Sequence, residues 1–147
     1  GRKFNIHDGL IINQYLDDVN SFLDKHIDNS KMNKFIKLFE PSYNDLKECI
    51  NFIKQTDVTN SQEINSHAVD FLNIFALVAV GFTWLEFIGI SLNKIENKDD
   101  DFYFSKIQLG DFYLTKVIFE TQKFKNNIYS SGKLYNEFED KFFEAGI

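Results

Sequence analysis

The side chains with chemistry to offer are few and scattered. His67 and Asp70 stand three residues apart, a spacing at which two side chains on one helix can meet. A carboxylate beside an imidazole is half of a general-base dyad. The same pair is more often a structural hydrogen bond, and that is the preferred reading. Glu86 is the single carboxylate in an otherwise apolar stretch. Burial would raise its pKa, as it does for many functional carboxylates. The preferred reading is a Glu that reaches a helix end or pairs with Lys106 or Lys116.

Cys49 is the only cysteine, so no disulfide can form within the chain, and it falls on an apolar stripe as a small core residue would. Asp99, Asp100 and Asp101 run together. They suit a helix N-terminus, where the macrodipole favours negative charge, and lack the spaced ligands and turn glycine of a calcium loop. His7, His26 and His67 are far apart. The sequence has no phosphate-cradling Gly loop, Cys pair, H-E-x-x-H motif or nucleophile elbow, and no Glu-x-x-His of the bundle di-metal kind. No catalytic residue and no metal ligand is therefore assigned, and no cofactor-binding residue is named.

The elements that would position these groups are organised around Ser66–Leu92, SHAVDFLNIFALVAVGFTWLEFIGISL. This is the most apolar stretch and too long for a buried strand, so it reads as a helix. It is apolar nearly all round, as a bundle's central helix or a membrane span would be. About 20 apolar residues would cross a bilayer. Asn73 and Glu86 lie inside that window, and a carboxylate at the bilayer centre costs roughly 2.5 kcal/mol or more. Neither flank carries the aromatic belt and Lys/Arg cluster that orient a span. A soluble bundle core, with no membrane partner, is the expectation.

The other segments are amphipathic. Leu10–Ile27 places Ile12, Tyr15, Leu16, Val19, Phe22, Leu23 and Ile27 on one side. Asp28-Asn29-Ser30 closes it and offers a cap to the next helix. Met32–Thr56 repeats the pattern, with Pro41 inside. Pro41 either kinks one helix or opens a second in its first turn. Asp57–Asn65 reads as a polar connection, with Asn60 or Ser61 as the cap. In Phe102–Ser130, the residues Tyr103, Ile107, Gly110, Leu114, Val117, Thr121, Phe124 and Ile128 form a seven-residue seam, with Gly110 permitting close approach. Ser131-Gly132 stops that helix, and Leu134–Phe143 reads as one more short helix. The fold expected is all-α: an up-down four-helix bundle with a short extra C-terminal helix, in one domain over residues 1–147.

The 147 residues suffice for one core, and 17 Phe make it aromatic-rich. One Pro and 7 Gly argue against a many-turned β protein. The net charge of −6 disfavours nucleic acid or an anionic membrane as partner. No apolar run follows the basic pair at the N-terminus, so no secretory signal is read and a cytoplasmic setting is expected. The chain lacks an initiator Met, and the expectation is a piece of something longer.

The stretch His67–Gly81 and its continuation resemble the C-terminal helical domain of bacterial acyl-CoA dehydrogenases, of the methylmercaptopropionyl-CoA dehydrogenase type. The residues that carry the likeness are Phe71, Leu72, Asn73, Ile74, Phe75, Gly81 and Trp84, then Phe102-Tyr103, Lys106 and Phe112-Tyr113. Gly110-Asp111 depart from the family's Ala-Arg, and Phe119-Glu120 from its Pro-Gln. Gly1-Arg2-Lys3 looks like the end of the family's core segment. The resemblance implies a flavin-dependent parent that oxidises an acyl-CoA to the 2,3-enoyl-CoA. In that reaction a carboxylate removes the α-proton and FAD takes the β-hydride. The family's catalytic Glu precedes the Gly-Arg-Lys segment and so lies outside these residues. What is implied for this chain is a structural domain that packs on the dehydrogenase core, with subunit contacts in a homo-oligomer, FAD in the parent only, and no activity alone. The alternative is a free-standing helical interaction module.

Overall fold

The computed structural model describes residues 6–55, 61–97 and 100–130. Among them there is no strand. Helix α1 is Ile6–Lys25, α2 is Ser30–Gln55, α3 is Ser61–Asn97 and α4 is Asp101–Phe112. A π-helical turn, Tyr113–Val117, and a 3-10 turn, Ile118–Glu120, carry α4 into a last helical stretch, α5, at 121–130. The expected short helix Leu134–Phe143 and its Ser131-Gly132 stop lie outside the described residues.

Caps set two of the starts. Asn29 Oδ1 accepts from the Lys31 amide at 3.2 Å and opens α2. Asp100 Oδ1 accepts from the Phe102 amide at 2.9 Å, and Asp101 sits in the first turn of α4. Asp100 and Asp101 thus serve the start of a helix, as their position in the sequence suggests, while Asp99 lies outside the described residues. The polar connection before α3 is shorter than expected, because the helix already runs from Ser61. Pro41 lies inside a continuous α2. Proline removes one backbone hydrogen bond there, and its exposed position leaves water within reach of that turn.

The contacts fix an up-down order. Tyr15 packs on Phe75 with centroids 5.1 Å apart and Phe22 on Phe82 at 5.4 Å, so α1 and α3 run the same way. Met32 lies by Gly89, Phe39 by Gly81 and Phe52 by His67, so α2 runs against them. Gly110 meets Ile88 and Ile118 meets Gly81, so α4 also runs against α3. The result is an all-α helical bundle. Its core includes the fully buried Val19, Met32, Phe39, Leu46, Ile74, Val78, Leu85, Ile88, Leu114, Ile118 and Ile128.

Two expectations need correction. Helix α3 is not buried all round: only a third of its apolar window, His67–Ile95, is covered, although its length and composition would suffice to cross a bilayer. Trp84 and Phe75, the large side chains at its middle, are half-buried, while Ile74, Val78, Leu85 and Ile88 carry its core face. The fourth rod is also not a regular helix, and the seam holds Ile118 rather than Val117. The π turn underwinds the rod and the 3-10 turn winds it back, so Thr121 returns to the buried side.

Candidate functional site

The groups singled out from the sequence do not converge. His67 is buried, edge-on against Phe52 with ring centroids 6.2 Å apart. Glu86 is exposed, and among the described residues it forms no ion pair with Lys106 or Lys116. Lys106 instead stands over the Phe102 ring, 5.1 Å from its centre. Cys49 is fully buried, and burial pushes its thiol up to about 12. Among the described residues no three His, Cys, Asp or Glu side chains are grouped to hold a metal.

The polar cluster the sequence did not reveal lies between α2 and α5. Ser42 Oγ donates to the Ile118 carbonyl at 3.1 Å. Thr121 Oγ1 lies 3.0 Å from both Ser42 Oγ and Asp45 Oδ2, and its one proton serves one of them at a time. Lys125 bonds Asp45 at 3.3 Å and also Glu48. The Glu48 hydrogen bond is the first reason its ammonium is held above its ordinary value. Ser42, Asp45 and Thr121 are buried, so these bonds satisfy groups that would otherwise be costly. This is a clamp between two helices. A half-open cleft of about 290 Å³ at the α1–α2 turn is lined by His26, Asn29, Lys31, Gly89 and Asn93, among others. Burial, then Lys25, lowers the His26 pKa, and Asn29 lies 3.3 Å from its ring nitrogen.

What the fold presents instead is a face. On α3, Val69, Leu72, Ala76, Val80, Thr83 and Ile90 follow one another by helical steps and are exposed. On α4 and beyond, Phe102, Ser105, Leu109, Phe112, Lys116 and Phe119 do the same. Each row lies on the side of its helix turned away from that helix's buried residues. The eight large apolar side chains among them are each 42–64% exposed. Ordinary monomers scatter such residues and seldom collect them. The two hydroxyls on the face are already used: Thr83 Oγ1 donates to the Ala79 carbonyl at 3.0 Å and Ser105 Oγ to the Phe102 carbonyl at 2.7 Å. Covering the face would strand neither of them.

The two rows are held together from within. Tyr113 Oη donates to the Leu77 carbonyl at 2.6 Å, and burial pushes that phenol up to about 12. Gly110 lies tight against Ile88 and Trp84, and Gly81 against Ile118. This face is mostly apolar, so the catalytic residue types in the sequence do not point to it. The signal in the sequence was the all-round apolarity of Ser66–Leu92, which exceeds what a three-sided burial needs.

The described residues define an all-α helical bundle with a broad apolar flank. Comparison with protein families narrows it: a family model described as "Acetyl-CoA dehydrogenase C-terminal like" matches residues 15–138. The chain belongs to that family, the C-terminal domain of acyl-CoA dehydrogenases. No curated protein and no solved structure matches it significantly.

Proposed function

We propose that this domain is the structural C-terminal part of a flavin-dependent acyl-CoA dehydrogenase, and that the outer face of α3 and α4 seats it on the dehydrogenase core of the same polypeptide. The reading carries with it a parent that oxidises an acyl-CoA thioester to the 2,3-enoyl-CoA, a cytoplasmic setting, homo-oligomeric assembly, and neither nucleic acid nor membrane as partner. The observation that carries it is the exposed apolar face on a domain of this family. Buried against a core, it would contribute about 25 cal/mol per Å² of apolar surface.

The reading places the FAD in the dehydrogenase core of the parent and not in this domain. A flavin needs donors for its pyrophosphate and polar partners for its ring. The hydroxyls on the face are bonded to their own helix, and the N-terminus of α4 is closed by Asp100 and Asp101. The redox chemistry is therefore assigned to the core, and the domain alone is read as inactive. The same face supports a second reading, a free-standing module that docks a partner helix.

The test is to read the frame upstream of Gly1 and co-express the encoded region with this chain as a separate polypeptide. Co-purification of a yellow core with the domain, lost in Val80→Asp and Leu109→Asp, is expected. A frame without a dehydrogenase, or co-purification unaffected by both substitutions, overturns the reading.

A further inference from the structure

Gly110 and Thr121 are both buried on the inner side of the fourth rod and stand eleven residues apart, close to three α-helical turns of about 3.6 residues each. A regular α-helix would join them with Val117 on the seam, as the heptad spacing demands. The structure joins them differently. Tyr113–Val117 is underwound, with the Ile118 amide bonding the Tyr113 carbonyl, and Ile118–Glu120 is tightened, with the Thr121 amide reaching the Ile118 carbonyl. Ile118 takes the seam and Val117 is half-exposed.

We propose that residues 113–120 form a two-position register switch. In one position Ile118 fills the notch over Gly81. In the other the stretch winds as regular α-helix and Val117 enters in its place. This goes beyond the docking reading and does not depend on it.

Three features argue that the exchange is local and that its gains and losses oppose each other. The two irregular turns cancel, so Gly110 and α5 keep their places in both positions. The exchanged side chains differ by one methylene. Regular winding would restore α-helical backbone bonds and give up the Ser42–Ile118 hydrogen bond at 3.1 Å. The notch itself exists because residue 81 has no Cβ: one placed there would come 2.6 Å from Ile118 Cδ1 and 3.4 Å from Phe39. Ser42 is the latch, presented at this level by α2 beside Pro41. The switch turns Lys116 and Phe119, both exposed, about the rod axis. A partner that takes Phe119 in one position holds the switch there, since a ligand shifts such an equilibrium by its differential affinity.

NMR relaxation dispersion on the intact chain tests this, because exchange of this kind falls in the microsecond-to-millisecond range. The wild type should show dispersion confined to about residues 113–121. Ser42→Ala should raise the minor population, and Gly81→Ala, which closes the notch, should abolish dispersion and move the Cα shifts of this stretch to the minor-state values. Absence of localised dispersion in both wild type and Ser42→Ala overturns the proposal. So does Gly81→Ala with the wild-type shifts retained, since Ile118 would then have only turned its Cδ1 aside. If Gly81→Ala does not fold, Ser42→Ala decides alone: a larger minor population supports the switch and an unchanged one overturns it.

Discussion

Gly110 is packed against Ile88 so closely that a Cβ at residue 110 would lie 2.7 Å from Ile88 Cδ1 and 3.0 Å from its Cγ1. Trp84 closes the same space at 3.2 Å. The seam between α3 and α4 is therefore set by the absence of one methyl group.

That seam makes a prediction with an internal control. Alanine ordinarily stabilises a helix by about 1 kcal/mol over glycine. At Gly9, where nothing lies within 4 Å of a Cβ, Gly9→Ala should raise the melting temperature. At Gly110 the overpacking cost of about 1–3 kcal/mol should win, and Gly110→Ala should lower it. Thermal melts of the two variants would show opposite signs; a rise in both would contradict the close seam.

The core face of α3 should dominate stability. Leu85 is fully buried, and Leu85→Ala should cost about 2–5 kcal/mol through lost transfer energy and the cavity left. Glu86 is exposed, and Glu86→Ala should change stability by less than about 0.5 kcal/mol. Denaturant titrations would rank them, and an equal cost for both would count against the observed facing of the helix.

The clamp between α2 and α5 should also be visible in stability. Thr121→Val keeps the side-chain shape and removes the hydroxyl that bonds Asp45 or Ser42. A loss of about 1–3 kcal/mol is expected, because a buried carboxylate is deprived of a donor. Urea unfolding of Thr121→Val measures it, and no change in the midpoint would mean that Lys125 alone satisfies Asp45.

Alkaline pH should weaken the fold early. Cys49 is raised from 9.0 to about 12, and Tyr15 and Tyr113 from 10.0 to about 12, all first by burial. Between the unfolded and folded values the native state holds more protons than the unfolded chain. Stability then falls as pH rises. Lys125, also raised, acts in the same direction above about pH 10.5. The decline should run from about pH 9 to pH 12, and Tyr113→Phe should lessen its slope from pH 10 upward. Melting temperatures followed across that range test the sign; a flat profile would contradict it.

The helices and most of their ends were legible because periodicity, caps and the Asp run are local signals. Cys49 as a core residue was equally plain. The face was not, because apolarity tells how much of a helix avoids water but not whether this chain or another does the covering. Glu86 misled for a related reason: an apolar run in sequence surrounds its residues on paper, while α3 turns that carboxylate outward. The clamp is built from pairs 76–80 residues apart, and spacing along the chain says nothing of them. Ile118 displaced Val117 because two opposite irregularities cancel over eight residues, 113–120, and a heptad count cannot register a sum of zero.

Trp84 is the only tryptophan in the chain. It stands beside Gly110 on the α3–α4 seam, half-buried, with Phe87 at 6.3 Å. The domain therefore carries one indole fluorophore at the border of its apolar flank. Whatever settles there strips water from the indole, and the emission should shift to shorter wavelength without any label having been attached.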